Sequence, residues 1–278
     1  MEDSPQRVIV TGASSGIGRE LARQLAARGA RVALGARREQ ELMEVAKECD
    51  ELGGEALAIL TDVSAQNQCK ALIEQAVQAW GGIDMLINNA GISMHARFED
   101  ISDLGIYERI MRVNYLGAVA CTHYALPYLK ASRGRIVVIS SLAGKTGVPT
   151  RTGYSASKHA LHGFFDALRV ELSGSGVSIT IICPGYVATG IRRYIVGPDG
   201  RPENRSYQNE TRFASVASCA GTILQSAERR KREVVMTATG KAGQFVKLFF
   251  PGLIDRIAQK KVRLRTQQGR TLSGEAGQ

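Results

Sequence analysis

The chain has 278 residues and a net charge of +10, with 44% hydrophobic and 22% charged residues, the balance of a soluble globular protein of one large domain or two small ones. Its five cysteines (Cys49, Cys69, Cys121, Cys183 and Cys219) are dispersed and odd in number, which speaks against a disulfide framework or a metal site and for a reducing, cytoplasmic setting. No apolar run reaches the roughly 18 residues of a spanning helix, and the polar opening shows no signal-peptide pattern, so neither a membrane span nor secretion is expected.

The first element is a short buried strand, Arg7–Thr11, which enters Gly12-Ala13-Ser14-Ser15-Gly16-Ile17-Gly18 and then a helical pattern over about 17–28. A strand, a glycine-rich turn and a helix start together make an anion site, because free N–H groups and the helix dipole point at one place. Glycine permits the tight turn and lets a pyrophosphate approach the backbone. The spacing differs from the commoner Gly-x-Gly-x-x-Gly, but its strand–turn–helix context predicts dinucleotide binding. Gly12, Ser14, Ser15, Gly16, Ile17 and Gly18 are therefore expected at the cofactor. A second strand, Arg31–Ala36, ends without the acid that commonly holds the ribose of NAD. Arg37 follows instead and can pair with a 2′-phosphate, with Ser14, Ser15 and Arg38 as helpers. The cofactor expected is NADP(H).

A helix over about 40–52, a strand over 56–61 ending in Asp62-Val63, and a helix over 66–80 come next. A strand over 83–87 then ends in Asn88-Asn89-Ala90-Gly91. Such alternation gives a parallel sheet covered on both faces, with ligands at the strands' C-terminal ends. Asp62 read alone serves equally as a helix cap. One long helix is expected over about 103–130, carrying Asn114 among apolar neighbours, where a buried amide must find partners. A fifth strand, over 134–139, ends in Ser140-Ser141, and Tyr154 and Lys158 head a further helix. On a helix those two project from one face, one turn apart. An ammonium beside a phenol favours the phenolate and makes tyrosine useful for proton transfer near neutral pH. Taken alone, the spacing also suits two residues on an exposed helix end. A strand over 178–183 leads into Pro184-Gly185-Tyr186-Val187-Ala188-Thr189.

Thr11-Gly12-x-x-x-Gly16-x-Gly18, Asp62-Val63, Asn88-Asn89-Ala90-Gly91, Asn114, Ser141, Tyr154-x-x-x-Lys158 and Pro184-Gly185-x-Val187-x-Thr189 stand in that order over about residues 7–190. The series resembles that of the short-chain dehydrogenase/reductase family. The resemblance implies an α/β fold with a Rossmann-type doubly wound parallel sheet of about seven strands, helices on both faces, usually in a homodimer or homotetramer. It implies that Tyr154 donates or accepts the proton on a carbonyl oxygen. Lys158 would lower the Tyr154 pKa and hold the nicotinamide ribose, Ser141 would hydrogen-bond the substrate oxygen, and Asn114 would hold a water linking Lys158 to solvent. Asp62 and Val63 would meet the adenine and Asn89, Ala90 and Gly91 the adenosine ribose side. Val187 and Thr189 would meet the carboxamide, with Pro184 and Gly185 in the same cofactor-binding segment. A small-molecule carbonyl or alcohol is the implied substrate.

Residues 1–239 are expected to form a single catalytic domain with a substrate loop over 190–213, and residues 240–278 a basic, apolar-containing extension. The loop carries Arg192, Arg193, Arg201, Arg205 and Arg212, which suit an acidic or thioester-bearing substrate or simply a solvated lid. His95, Phe98, Val148 and Tyr194 are candidate pocket liners by position only. Between Glu228 and Arg270 stand twelve basic and three acidic residues; without an aromatic-rich binding motif, no nucleic acid is expected. Phe245–Ile257 interleaves large apolar groups with cations around Pro251. A dimer contact or pocket-closing role is preferred there to a peripheral membrane contact, because proline interrupts an amphipathic helix. Phe98-Glu99-Asp100, Tyr107-Glu108-Arg109, Val113–Gly117, Ser140–Lys145 and the Phe-rich tail are similar to the 11-beta-hydroxysteroid dehydrogenase-like and 3-ketodihydrosphingosine reductase-like branch, which implies an apolar, steroid-like or lipid-like substrate. A 3-oxoacyl thioester reductase and a cofactor-binding regulator without turnover are the alternatives.

Overall fold

The computed structural model describes residues 5–188, 195–202 and 214–259. Its strands are β1 (Arg7–Thr11), β2 (Arg31–Ala36), β3 (Glu55–Leu60), β4 (Met85–Asn88), β5 (Ser93–Met94), β6 (Arg135–Ile139), β7 (Ser178–Cys183), β8 (Ile195–Val196) and β9 (Glu233–Val235). Seven of them form one parallel sheet in the order β3–β2–β1–β4–β6–β7–β9. The chain steps outward from β1 in one direction, returns, and steps outward in the other. The crevice between β1 and β4 is thus the topological switch point, where open α/β sheets bind ligands.

The helices are α1 (Gly16–Ala26), α2 (Glu39–Glu51), α3 (Gln66–Trp80), α4 (Gly105–Met111), α5 (Gly117–Ala131), α6 (Thr152–Glu171), α7 (Val216–Glu228) and α8 (Ala238–Phe249). Strand side chains alternate between two cores, as the two-residue strand period requires. Val8, Val10, Val32, Leu34, Met85 and Ile87 face the core built with Leu21 and Leu25 of α1 and Ile223 of α7. Ile9, Ala33, Leu86, Ile136 and Val138 face the opposite core, with Leu72 of α3, Ala125 of α5 and Phe165 of α6.

Three local features depart from the sequence expectation. The long helix over 103–130 is divided: α4 passes through a π-helical turn, Arg112–Leu116, before α5 begins. Gly117 lies against Val63, where a Cβ would stand 2.8 Å from the Val63 carbonyl oxygen, and Asn114 is tied to another segment, so the backbone widens between two fixed points. A small second sheet joins β5 to β8 in parallel, anchoring part of the expected substrate loop. The C-terminal helix α8 starts at Ala238, inside the expected domain boundary, and a second helical stretch covers 251–259 beyond Phe250.

Candidate active site

Every parallel strand delivers its C-terminal end to one edge of the sheet, and the singled-out motifs lie along that edge. At the end of β1, Gly12 adopts φ +66. A Cβ on it would come within 2.8 Å of the Ala90 Cα, and one on Gly18 within 2.3 Å of the Gly12 carbonyl oxygen. Glycine is required at both positions for the turn to close. Asn89 clamps this turn: its side-chain amide donates to the carbonyls of Thr11 (2.9 Å) and Gly12 (3.2 Å), while the Thr11 hydroxyl accepts from the N–H groups of Asn89 and Ala90. Ser15 stands at the N-cap of α1 without a side-chain cap, so the first-turn N–H groups are presented to an incoming anion.

Arg38 donates to the hydroxyls of Ser14 (2.9 Å) and Ser15 (2.8 Å) and also pairs with Glu41. Arg37 lies 3.9 Å from Asp62 at the end of β3 and is largely exposed. Asp62 also accepts from the backbone and hydroxyl of Ser64 ahead of α3, and Val63 is buried in the core. A guanidinium beside two serines, an open helix start and no acid at Ala36 form a donor set that fits a phosphorylated dinucleotide.

Asn114 sits in the π-helical turn, 1% exposed. Its Oδ1 accepts from the Ile92 N–H at 2.8 Å, and its Nδ2 donates to the Ile92 carbonyl and to Ser157 Oγ, both at 2.9 Å. The buried amide is satisfied by backbone and by a residue of the Tyr154–Lys158 turn, so it ties the β4–β5 segment to α6. Gly91 faces the same space: a Cβ there would lie 3.2 Å from Asn114 Oδ1 and 3.6 Å from Lys158 Nζ.

Lys158 is 4% exposed, and its Nζ donates to the Ile139 carbonyl at 2.8 Å. Burial pulls its pKa down to about 8, since a low-dielectric site disfavours the charged form. The ammonium lies 5.7 Å from the centroid of the Tyr154 ring. Tyr154 itself packs beside Met94, Ile106, Ile110 and Val196. Burial pushes its phenol above the ordinary tyrosine value, opposed by hydrogen bonding with Ser141 and then by the positive charge of Arg151. Arg151 is thus a cation outside the Tyr-x-x-x-Lys motif that acts on the phenol, while the Lys158 ammonium, close to the same ring, also donates to the Ile139 carbonyl. Ser141 caps a 3-10 turn over Leu142–Gly144 through its Oγ.

Pro184 accepts from the Leu142 N–H at 3.2 Å, and Gly185 packs against Thr237. Val187 bridges Ala214. Thr189, Tyr194, Arg192, Arg193, Arg205 and Arg212 lie outside the described residues. His95 joins β8 through its backbone N–H to Val196, and Phe98 is exposed, edge-on to Tyr107.

Two residues absent from the sequence reading reach this edge. Arg151, immediately before α6, places its guanidinium 6.0 Å from the centroid of the Tyr186 ring. His162, one turn beyond Lys158, lies 3.0 Å from Ser140 Oγ through Nε2. The helical face shared with Tyr154 and Lys158 was a usable signal for His162, whereas Arg151 precedes the helix.

A glycine turn thus lies at the switch point of the α/β sheet, with Ser141, Tyr154 and Lys158 at the same sheet edge. The chain belongs to the short-chain dehydrogenase family, whose model (short chain dehydrogenase) matches residues 6–198; it is an oxidoreductase of a family that uses nicotinamide cofactors. It is 38% identical over 259 residues to a dehydrogenase/reductase SDR family protein 7-like of Dictyostelium discoideum, covering 91% of this chain and 80% of that one. It is 37% identical over 259 residues to 11-beta-hydroxysteroid dehydrogenase A of Sesamum indicum, covering 90% and 73%. Among solved structures, a short chain dehydrogenase/reductase from Burkholderia phymatum in complex with NAD superposes with a TM-score of 0.80 at 25% identity, covering 91% of this chain and 96% of that one. An alcohol dehydrogenase from Thermococcus sibiricus complexed with 5-hydroxy-NADP gives 0.71 at 24%, covering 83% and 95%.

Proposed function

We propose that the protein is an NADP(H)-dependent oxidoreductase that interconverts a ketone or aldehyde with its alcohol, on an apolar substrate of steroid-like or lipid-like character. The observation that carries the chemistry is the meeting of Tyr154, Ser141 and Lys158 beside the glycine turn. The nicotinamide supplies or takes the hydride. As negative charge builds on the substrate oxygen, Tyr154 gives it a proton and the Ser141 hydroxyl donates a hydrogen bond. Lys158 holds the ribose, and its site near a pKa of about 8 lets it return a proton to Tyr154 at neutral pH. Asn114 keeps the π-helical turn open beside Lys158. The serine-bound Arg38, with Arg37 beside it, supports the 2′-phosphate assignment. The name of the Sesamum indicum relative supports the apolar substrate class.

In this reading the exposed apolar side of α8 serves a second copy or closes the pocket. Sedimentation with anionic vesicles tests the membrane alternative. The principal experiment follows NADPH and NADH oxidation across steroid ketones, long-chain ketones, acyl thioesters and small polar carbonyls. NADPH is expected to give at least tenfold higher kcat/KM, the order of one lost charge-assisted contact. Equal use of NADH would remove the cofactor assignment; turnover confined to polar carbonyls would remove the substrate class.

A further inference from the structure

Behind the site lies a buried polar chain that the reaction does not consume. Ser140 is 3% and His162 8% exposed. His162 Nε2 faces two groups that carry hydrogen, the Ser140 hydroxyl at 3.0 Å and the Cys183 thiol at 3.7 Å. Burial pushes that thiol up to about 12, so it keeps its proton. Among the described residues, His162 Nδ1 is buried without a hydrogen-bond partner, and a carboxylate oxygen, Glu233 Oε2 at the start of β9, lies 3.7 Å away. Glu233 is itself paired with Lys145, whose carbonyl accepts from Lys247 of α8 at 2.9 Å.

A neutral imidazole has one N–H and one lone pair, and the hydrogen bond at one nitrogen decides the other. A lone pair on the buried Nδ1 would face the Glu233 carboxylate, which is repulsive. An N–H there is attracted to it, and the lone pair then falls on Nε2, where two donors wait. The Ser140 hydroxyl has a single proton, and His162 at 3.0 Å is a closer acceptor than the Lys158 carbonyl at 3.4 Å. The ring also fits tightly: a Cβ at Gly144 would lie 2.6 Å from Ser140 Oγ and 3.0 Å from His162 Cδ2. His162 therefore fixes the residue that immediately precedes Ser141.

We infer that His162 is a positioning residue: a neutral imidazole protonated at Nδ1, accepting the Ser140 hydroxyl at Nε2, that holds the Ser140–Ser141 end of β6 against α6. The inference rests on the assignment of Ser141 to the substrate oxygen. The titratable groups facing the ring are Lys145, Glu233, Asp166, His159 and Cys183, with Lys158 one turn back on α6. Burial lowers the imidazole pKa to about 4, with Lys145 acting in the same sense. The unfolded ring titrates near ~6.5. Between these values the unfolded chain binds the extra proton, so this contribution to stability is complete above about 6.5 and is lost as pH falls towards 4.

The test combines nitrogen NMR of the histidine-labelled wild type at pH 7 with kinetics of His162→Leu, His162→Gln and Glu233→Gln. The Nδ1–H tautomer is expected, persisting to about pH 5. His162→Leu should lose about ten- to a hundredfold in kcat, the order expected when a reacting group is misplaced, with NADPH affinity unchanged. His162→Gln, which returns an acceptor at the Nε2 position, should recover most of that loss. Glu233→Gln should shift the ring towards the Nε2–H tautomer. An Nε2–H tautomer or an imidazolium in the wild type at pH 7, or unchanged kcat in His162→Leu, would overturn the inference. If the wild type turns over no carbonyl, the functional assignment fails by itself, and the tautomer measurement still decides how Ser140 is held.

Discussion

The β6–α6 edge and helix α8 break the same packing rule in opposite senses. At the edge, polar groups that normally face water are inside: Asn114 is 1% and Lys158 4% exposed. On α8, apolar groups that normally lie inside face water: Phe245, Leu248 and Phe249 are 63–76% exposed, and the helix buries none of its residues. The interior violation is compensated locally. Asn114 is fully hydrogen-bonded, and the Lys158 ammonium has a carbonyl partner. No such compensation for α8 is present among the described residues. Buried polarity with partners is what the proposed chemistry draws on; an exposed apolar face is a candidate contact surface.

The strongest way to break the first half of the comparison is Tyr154→Phe. The ring keeps its packing against Met94, Ile106 and Ile110, so the fold and NADPH affinity should be retained. Loss of the proton donor should lower kcat by about 10²–10⁴, the usual contribution of general acid–base catalysis. Steady-state kinetics with a fluorescence titration of NADPH checks both parts, and a retained rate would remove Tyr154 from the reaction.

Lys158→Met separates function from stability. The folded pKa of about 8 lies below the ordinary lysine value of 10.5, so the charged form is disfavoured by burial. Below pH 8 both folded and unfolded lysines are protonated and the penalty is complete, about 3 kcal/mol at ~1.36 kcal/mol per unit. From pH 8 to 10.5 the unfolded chain binds more protons, and stability rises with pH. Methionine removes the penalty but leaves the Ile139 carbonyl without its donor, which costs about 1–3 kcal/mol if it stays dry. A net gain of up to about 2 kcal/mol at pH 7 is expected, with loss of the alkaline rise and of most activity. Denaturant titrations at pH 7 and 9.5 measure it.

The legible part of the molecule follows from local pattern. Strands β1, β2 and β7 and helix α3 stand where alternation and apolar period placed them, because each buries its face without help from distant residues. The π-helical turn at Arg112–Leu116 was not legible, since its cause is the packing of Gly117 on Val63 and the bond from Asn114 to Ile92, both across the sheet edge. Strand β9 was hidden because Glu233-Val234-Val235 is short and follows a run of basic residues. The surroundings of His162 were hidden with it, although its place on the Tyr154–Lys158 face was readable, as its charged neighbour Glu233 comes from that strand. The spacing of Tyr154 and Lys158 was legible, whereas the added influence of Arg151 on the phenol was not, because Arg151 acts through space from outside the motif.

Arg151→Gln tests that last point with a smaller effect. The guanidinium lowers the Tyr154 pKa, so its removal should move the rise of alcohol oxidation with pH to higher pH. The change at neutral pH should stay within about tenfold, with the NADPH affinity of the glycine turn unchanged. A pH–rate profile that does not move would remove Arg151 from the tuning of the phenol.

The smallest expected effect concerns α8. Replacing Phe245, Leu248 and Phe249 together by serine removes side chains that are largely exposed, so the intrinsic cost should stay near that of surface substitutions, about 0.5 kcal/mol each way. The Phe245–Phe249 contact at 5.2 Å joins two largely exposed rings. Stability at low protein concentration should therefore match the wild type. If a second copy covers this face, the wild-type Tm should climb with protein concentration while that of the triple variant stays flat, because association stabilises only the state that binds. Matching concentration dependence in both proteins would exclude self-association through α8. A loss of several kcal/mol at low concentration would instead show that α8 packs within its own chain, and the contrast between the two regions would disappear.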